Sequence, residues 1–184
     1  MERPDLDADG VARDIVQIPS PNHDERPEGE AVNLLVIHNI SLPPGEFGGD
    51  AIIQLFTNRL DFDADPFYAG LRGLKVAPHF LIRREGRLLQ FVPCSRRAWH
   101  AGISAWRGRS ACNDFSIGVE LEGTDDLPYA VEQYAALARL TRTLRQRYPI
   151  QDIAGHSDIA PGRKTDPGPA FDWGHYRALL SRGS

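Results

Sequence analysis

The stretch VNLLVIHN, residues 32–39, constrains the fold of this chain more than any other. Its aliphatic run lacks the polar alternation of a half-exposed strand, so it reads as a buried strand at the centre of a sheet. The run stops abruptly at His38 and Asn39, and the strand therefore delivers two polar groups at its C-terminal end.

A second strand, FSIGVELEG (115–123), carries information in its alternation. Ile117, Val119 and Leu121 share one face, and Ser116, Gly118, Glu120 and Glu122 share the other. Gly118 is expected to leave open space beside the Glu120 carboxylate, which makes that face a pocket wall.

Further elements complete a layered sheet. HFLIRREGRLLQFV (79–92) is two period-two runs joined at Glu85-Gly86, a hairpin signal. DAIIQLFTNRL (50–60) has helical spacing, and PYAVEQYAALARLTRTLRQRYP (128–149) is the longest helix, with Val131, Tyr134, Leu137 and Leu144 on the side that covers the sheet. Asp172 is placed to cap a last helix, WGHYRALLSR. Residues 1–31, rich in Asp, Glu, Pro and Gly, read as an arm with one short edge strand, leaving 32–184 as a single domain. The irregular segments 61–78 and 99–114 are long enough to suggest functional loops.

The segment GHSDIAPGRKTDPGP (155–169) holds three glycines and three prolines, which restrict the backbone more than a connector requires. His156 and Asp166 within it are too far apart for a helical ligand pair, so a metal there needs a third ligand, and His38 is the natural supplier. Two histidines and a carboxylate suit a catalytic zinc ion, which takes three protein ligands and keeps a fourth position for water. Glu120 beside it would serve as general base and then acid. Lys164, two residues before Asp166, would stabilise an oxyanion. Plainer readings stand beside these: Asp158 competes with Asp166 as ligand or caps the loop, Glu120 and Lys164 form an ion pair, and His79, His100 and His175 are packing or surface residues.

The remaining composition serves to exclude. Twenty-one Lys and Arg against 25 Asp and Glu give a net charge of −4, with no basic field for nucleic acid. The N-terminus has no apolar leader run and no stretch approaches the roughly 18 apolar residues of a membrane span, so a cytoplasmic location is expected. Cys94 and Cys112 are too few for a disulfide framework or a cysteine-built metal site, and read as free thiols.

Four blocks in order, LLVIHNISLPPGEFGG, RRAWHAG, NDFSIGVELEGTD and GHSDIAPGRKTDPGPAFDW, resemble the zinc N-acetylmuramoyl-L-alanine amidases of the amidase-2 superfamily. Within it they are most similar to the cytoplasmic branch that acts on 1,6-anhydro-N-acetylmuramyl peptides in cell-wall recycling. The resemblance, running from about residue 32 to residue 177, implies an α+β fold in the broad α/β class: one domain, a central mixed β-sheet flanked by helices, and zinc in a groove on one face. It implies one zinc per chain on His38, His156 and Asp166, with Glu120 as catalytic acid/base and Lys164 as transition-state stabiliser. The implied reaction is hydrolysis of the amide between the muramic acid lactyl group and L-alanine, which indirectly lowers β-lactamase induction where such a circuit exists. Asn39, Lys75, Trp99 and His100 are candidates for gripping sugar and peptide. A monomer acting on a small muropeptide is expected. Two alternatives differ in class: an amidase acting on intact peptidoglycan, and a binding module that has lost its metal, which would lack at least one of the ligands present here.

Overall fold

The two aliphatic runs lie side by side at the centre of one sheet in the computed structural model, which describes residues 4–182. In chain order the strands are β1 (Val16–Gln17), β2 (His23–Asp24), β3 (Leu34–Ile40), β4 (Phe80–Ile82), β5 (Leu88–Gln90), β6 (Arg97–Ala98), β7 (Ala105–Trp106), β8 (Arg109–Ser110), β9 (Ser116–Glu122) and β10 (Asp152–Gly155). The helices are α1 (Ala51–Phe56), α2 (Pro66–Ala69), α3 (Val131–Arg147), α4 (His156–Ile159) and α5 (Trp173–Ser181). The main sheet has the order β1-β5-β4-β9-β3-β10. Only the β4·β5 hairpin pairs antiparallel, so the sheet is mixed.

The strand period of two sorts the side chains of β3 onto two faces. Leu35 and Ile37 join Ile117, Val119 and Leu121 in a core closed by Leu137, Leu140 and Leu144 of α3 and Tyr176 of α5. Each of those fully buried leucines contributes about 1.5–3 kcal/mol relative to exposure. Leu34 and Val36 point the other way, against Phe115, Ala154 and Ile159. His38 has the parity of Leu34 and Val36, so it faces away from α3. A third apolar cluster, built on Leu55, Phe56, Leu81 and Phe91, sits under α1 and the 61–78 segment.

Local chemistry sets the element ends. The helical pattern of 50–60 is cut at Phe56 because Asn58 takes a left-handed conformation at φ 58°. The 128–149 pattern narrows to α3: Gln133 Oε1 accepts from Ala130 N at 3.1 Å at the start, and Tyr148, preceding Pro149, is extended at the end. Asp172 caps α5 by accepting from His175 N at 2.8 Å.

The arm is tied in at several points. β1 adds in parallel to the β5 edge and β2 pairs with β6. Arg26 donates to the carbonyls of Cys94, Asn113, Asp114 and Ser116, and burial lowers its pKa to about 10. Glu122, on the same face as Glu120, is spent on a buried 2.7 Å pair with Arg83 that fastens the hairpin to the sheet. Both cysteines are free and buried.

Candidate metal centre

Three strand ends bring the site together. β3 carries His38 near its C-terminal end, and Glu120 of β9 is its direct partner in the parallel register. β10 ends at Gly155, opposite Ile37, so the next residue, His156, emerges beside His38. The glycine- and proline-rich stretch is not wholly irregular: it opens with the single turn of α4, where Asp158 Oδ2 accepts from Gly155 N at 2.7 Å. Asp158 is thereby a cap rather than a ligand. Gly155 is required there, because a Cβ would lie 2.8 Å from the Pro167 ring.

His38 Nδ1 and His156 Nδ1 are 2.9 Å apart, and each lies 3.1 Å from Asp166 Oδ2. Both imidazoles are buried, and the carboxylate is 14 % exposed. His156 Nε2 is 3.1 Å from the carbonyl of Ala101, which only accepts, so Nε2 carries a proton and a ring with a single proton has a bare Nδ1. A bare imidazole nitrogen, a second imidazole nitrogen and a carboxylate oxygen thus converge on one point, a donor set that a divalent cation satisfies. Burial lowers the His38 pKa to about 4, which keeps it neutral and ligand-competent. Burial opposes the charge of Asp166, but its contacts with His156 and His38 outweigh this and hold it well below the usual carboxylate range.

Glu120 stands beside this triangle with a solvent-shielded Oε2 that has no hydrogen-bond partner. Burial and the charge of Asp166 push its pKa well above the ordinary carboxylate value, and Lys164 works in the opposite direction. Lys164 itself is exposed on the rim of a groove of about 740 Å³ that contains His38's neighbours Asn39 and Glu120 together with His156 and Asp166. The space above Gly118 is not open. The His100 ring fills it, at a distance where any Cβ on residue 118 would collide. The glycine therefore accommodates a histidine, not a ligand.

Residues 28–169 match the N-acetylmuramoyl-L-alanine amidase family, Amidase_2. The chain belongs to this family. It is 57% identical over 173 residues to the 1,6-anhydro-N-acetylmuramyl-L-alanine amidase AmpD of Enterobacter cloacae, covering 93% of this chain and 92% of that protein. A crystal structure of a selenomethionine AmpD derivative superposes with a TM-score of 0.93 at 55% identity, covering 95% of this chain and 98% of the other. The Escherichia coli amidase AmiD, solved with anhydro-N-acetylmuramic acid-L-Ala-D-γ-Glu-L-Lys, aligns with a TM-score of 0.60 at 32% identity, covering 84% of this chain and 60% of AmiD. The protein is accordingly an N-acetylmuramoyl-L-alanine amidase.

The amidase groove sorts the remaining candidates. Asn39 lines it, but its amide donates to Asp125 Oδ1 at 2.8 Å and Pro167 O at 3.1 Å, holding the Asp166 loop in place. His100 lines the groove, whereas Lys75 is exposed and Trp99 half-buried outside the lining of the groove. His79 is locked between Gly118 N and Arg96 O. Sequence reasoning missed Phe67 and Leu74, 45% and 41% exposed, which give the amidase groove an apolar wall. The signal was present as large apolar residues in a long irregular segment. It also missed Arg163, which donates to the carbonyls of Ala101 and Ile103 and ties the ligand loop to the 99–104 loop. Among the described residues no helix is long and apolar enough to cross a membrane.

Proposed function

We propose that this amidase hydrolyses the amide joining 1,6-anhydro-N-acetylmuramic acid to the L-alanine of a stem peptide, with one zinc ion held by His38, His156 and Asp166. The observation that carries the reading is the unpartnered Glu120 Oε2 beside the three converging ligand atoms: a carboxylate with a raised pKa and a free lone pair next to a cation-shaped site. A zinc ion at that site supplies Lewis-acid activation of water and of the amide carbonyl.

The chain's own groups perform the proton transfers. Glu120 Oε2 accepts the proton of the attacking water and returns it to the leaving L-alanine nitrogen, so that the amine departs neutral. Its raised pKa suits both halves of that cycle, since a strongly acidic carboxyl would take the proton poorly. Lys164, on the rim, places an ammonium beside the carbonyl oxygen as negative charge develops there. The apolar wall from Leu42 to Leu74 covers the substrate and excludes bulk water, which strengthens these interactions. Asn39 acts through the loop it holds, and His100 through the ring it presses against His38.

The AmpD relatives are named for the anhydro sugar and AmiD was solved with an anhydromuropeptide, which supports a small muropeptide as substrate. Cytoplasmic peptidoglycan recycling by a monomer, with reduced β-lactamase induction as a downstream consequence, belongs to the same reading. The test is a side-by-side assay of the zinc-loaded protein on anhydromuropeptide and on intact peptidoglycan, following release of the free peptide. Preferential release from the anhydromuropeptide is expected. Fully zinc-loaded protein that leaves it uncut would end the proposal.

A further inference from the structure

The buried hydrogen bonds behind His38 can run in only one direction. Ser116 Oγ lies 2.5 Å from the Cys112 carbonyl, and because a carbonyl only accepts, the single hydroxyl proton is spent there. Ser116 Oγ is also 3.1 Å from His100 Nε2, so it accepts from an Nε2–H. A neutral His100 then has a bare Nδ1, and this atom is 2.9 Å from His38 Nε2, which must donate to it. The remaining nitrogen of His38, Nδ1, is left without a proton and points at His156 and Asp166.

We propose that Ser116 and His100 are positioning residues that lock His38 into the one tautomer able to bind the metal. The chain of donors is buried: Ser116 is 0% exposed, His38 1% and His100, whose edge meets the groove, 8%. Among the described residues the two ring nitrogens of His100 are engaged by Ser116 Oγ and His38 Nε2 and by no carboxylate that would hold a second proton, so a ring with one proton gives the bookkeeping one solution. The ring cannot drift, because Asn113 Oδ1 accepts from His100 N and Ala101 N while the ring sits over Gly118. His79, the nearest other imidazole, offers no alternative partner since both of its nitrogens are already engaged.

The second histidine ligand is fixed by a different device built from the next residue. His156 Nε2 donates to the carbonyl of Ala101, so the consecutive residues His100 and Ala101 set the tautomers of both imidazole ligands, one through a ring and one through the backbone. The WHAG loop thereby acts behind the metal as well as beside the groove.

This inference rests on the metal reading of the site but not on the choice of substrate. Two-bond proton–nitrogen correlation spectra of the zinc-loaded protein should show His100 protonated at Nε2 and bare at Nδ1. A proton on His100 Nδ1 would overturn the proposal without any mutant. Ser116→Ala should weaken zinc binding, measured by competition with a chromophoric chelator, by on the order of ten- to one-hundredfold. Parent-like zinc affinity in a folded Ser116→Ala protein would equally overturn it, and if that variant does not fold the tautomer measurement on the parent decides. Protein with the expected tautomers and zinc affinity that cuts no muropeptide would refute the substrate reading and leave the relay standing.

Discussion

His38 and Glu120 are register partners on adjacent parallel strands, so a metal ligand and an unpartnered carboxylate project from the same face of the sheet one strand apart. Neighbouring strands are about 4.8 Å apart, which is the reach a carboxylate needs to address a water beside a metal ligand without binding the metal itself. Both side chains are aimed by ladder hydrogen bonds rather than by loops. Removing one should therefore leave the other in place.

Glu120→Ala separates the two roles. Zinc content should remain one per chain, while kcat on anhydromuropeptide falls by about 10²–10⁴-fold, the usual contribution of a positioned acid/base. Metal analysis and steady-state kinetics on one preparation check it. A variant that cleaves at the parent rate would remove Glu120 from the mechanism.

His38→Ala should abolish both metal and turnover, and chelation of the parent should do the same reversibly. Zinc that binds only the folded chain adds stability by mass action, about 4 kcal/mol at a thousandfold excess over Kd. The melting temperature should accordingly rise with free zinc in the parent and stay flat in His38→Ala.

Gly118→Ala tests the packing of His100 on β9. The added methyl has no free volume, because the His100 ring already occupies it. Overpacking of this kind costs about 1–3 kcal/mol. Denaturant titration should register that loss, together with weaker zinc binding as the ring is pushed from His38. Unchanged stability would mean that the ring has room to move.

Much of this arrangement was legible in the residues because it rests on period and punctuation. The continuous aliphatic run placed β3 and its abrupt end marked His38, while the period-two runs placed β9 and the hairpin. What the sequence concealed depends on contacts between distant segments. Gly118 reads as an empty position until His100, 18 residues earlier in the chain, is seen to fill it. Asn39 reads as a substrate candidate, and only the fold shows that its amide also holds Pro167; Asp158 resembles a rival ligand until it caps Gly155. Polar groups reveal their type in a sequence, but only the fold shows which of their hydrogen bonds are already taken.

The same burial that prepares the metal site makes the metal-free protein sensitive to acid. His38 is held neutral down to about 4, and His79 and His100 well below the ordinary histidine value, chiefly by burial. Unfolded histidines titrate near 6.5, so between that value and the folded one the unfolded chain binds protons that the native chain refuses. Their contribution is present in full above about pH 6.5 and is lost progressively as the pH falls below it, for His38 toward about 4. Glu120, with its raised pKa, acts in the opposite sense, because the native protein holds its proton at a pH where the unfolded chain has released it. Three imidazoles against one carboxyl leave a net uptake of protons on unfolding, so stability should fall as the pH is lowered below about 6.5. A domain has only roughly 5–15 kcal/mol in hand, so the zinc-free amidase should be measurably less stable at pH 5 than at pH 7.5. Urea titrations of zinc-free protein at pH 7.5, 6 and 5 would measure the slope. A stability that stays level over this range would show that the buried imidazoles admit protons freely, against the packing of His38, His79 and His100 described above.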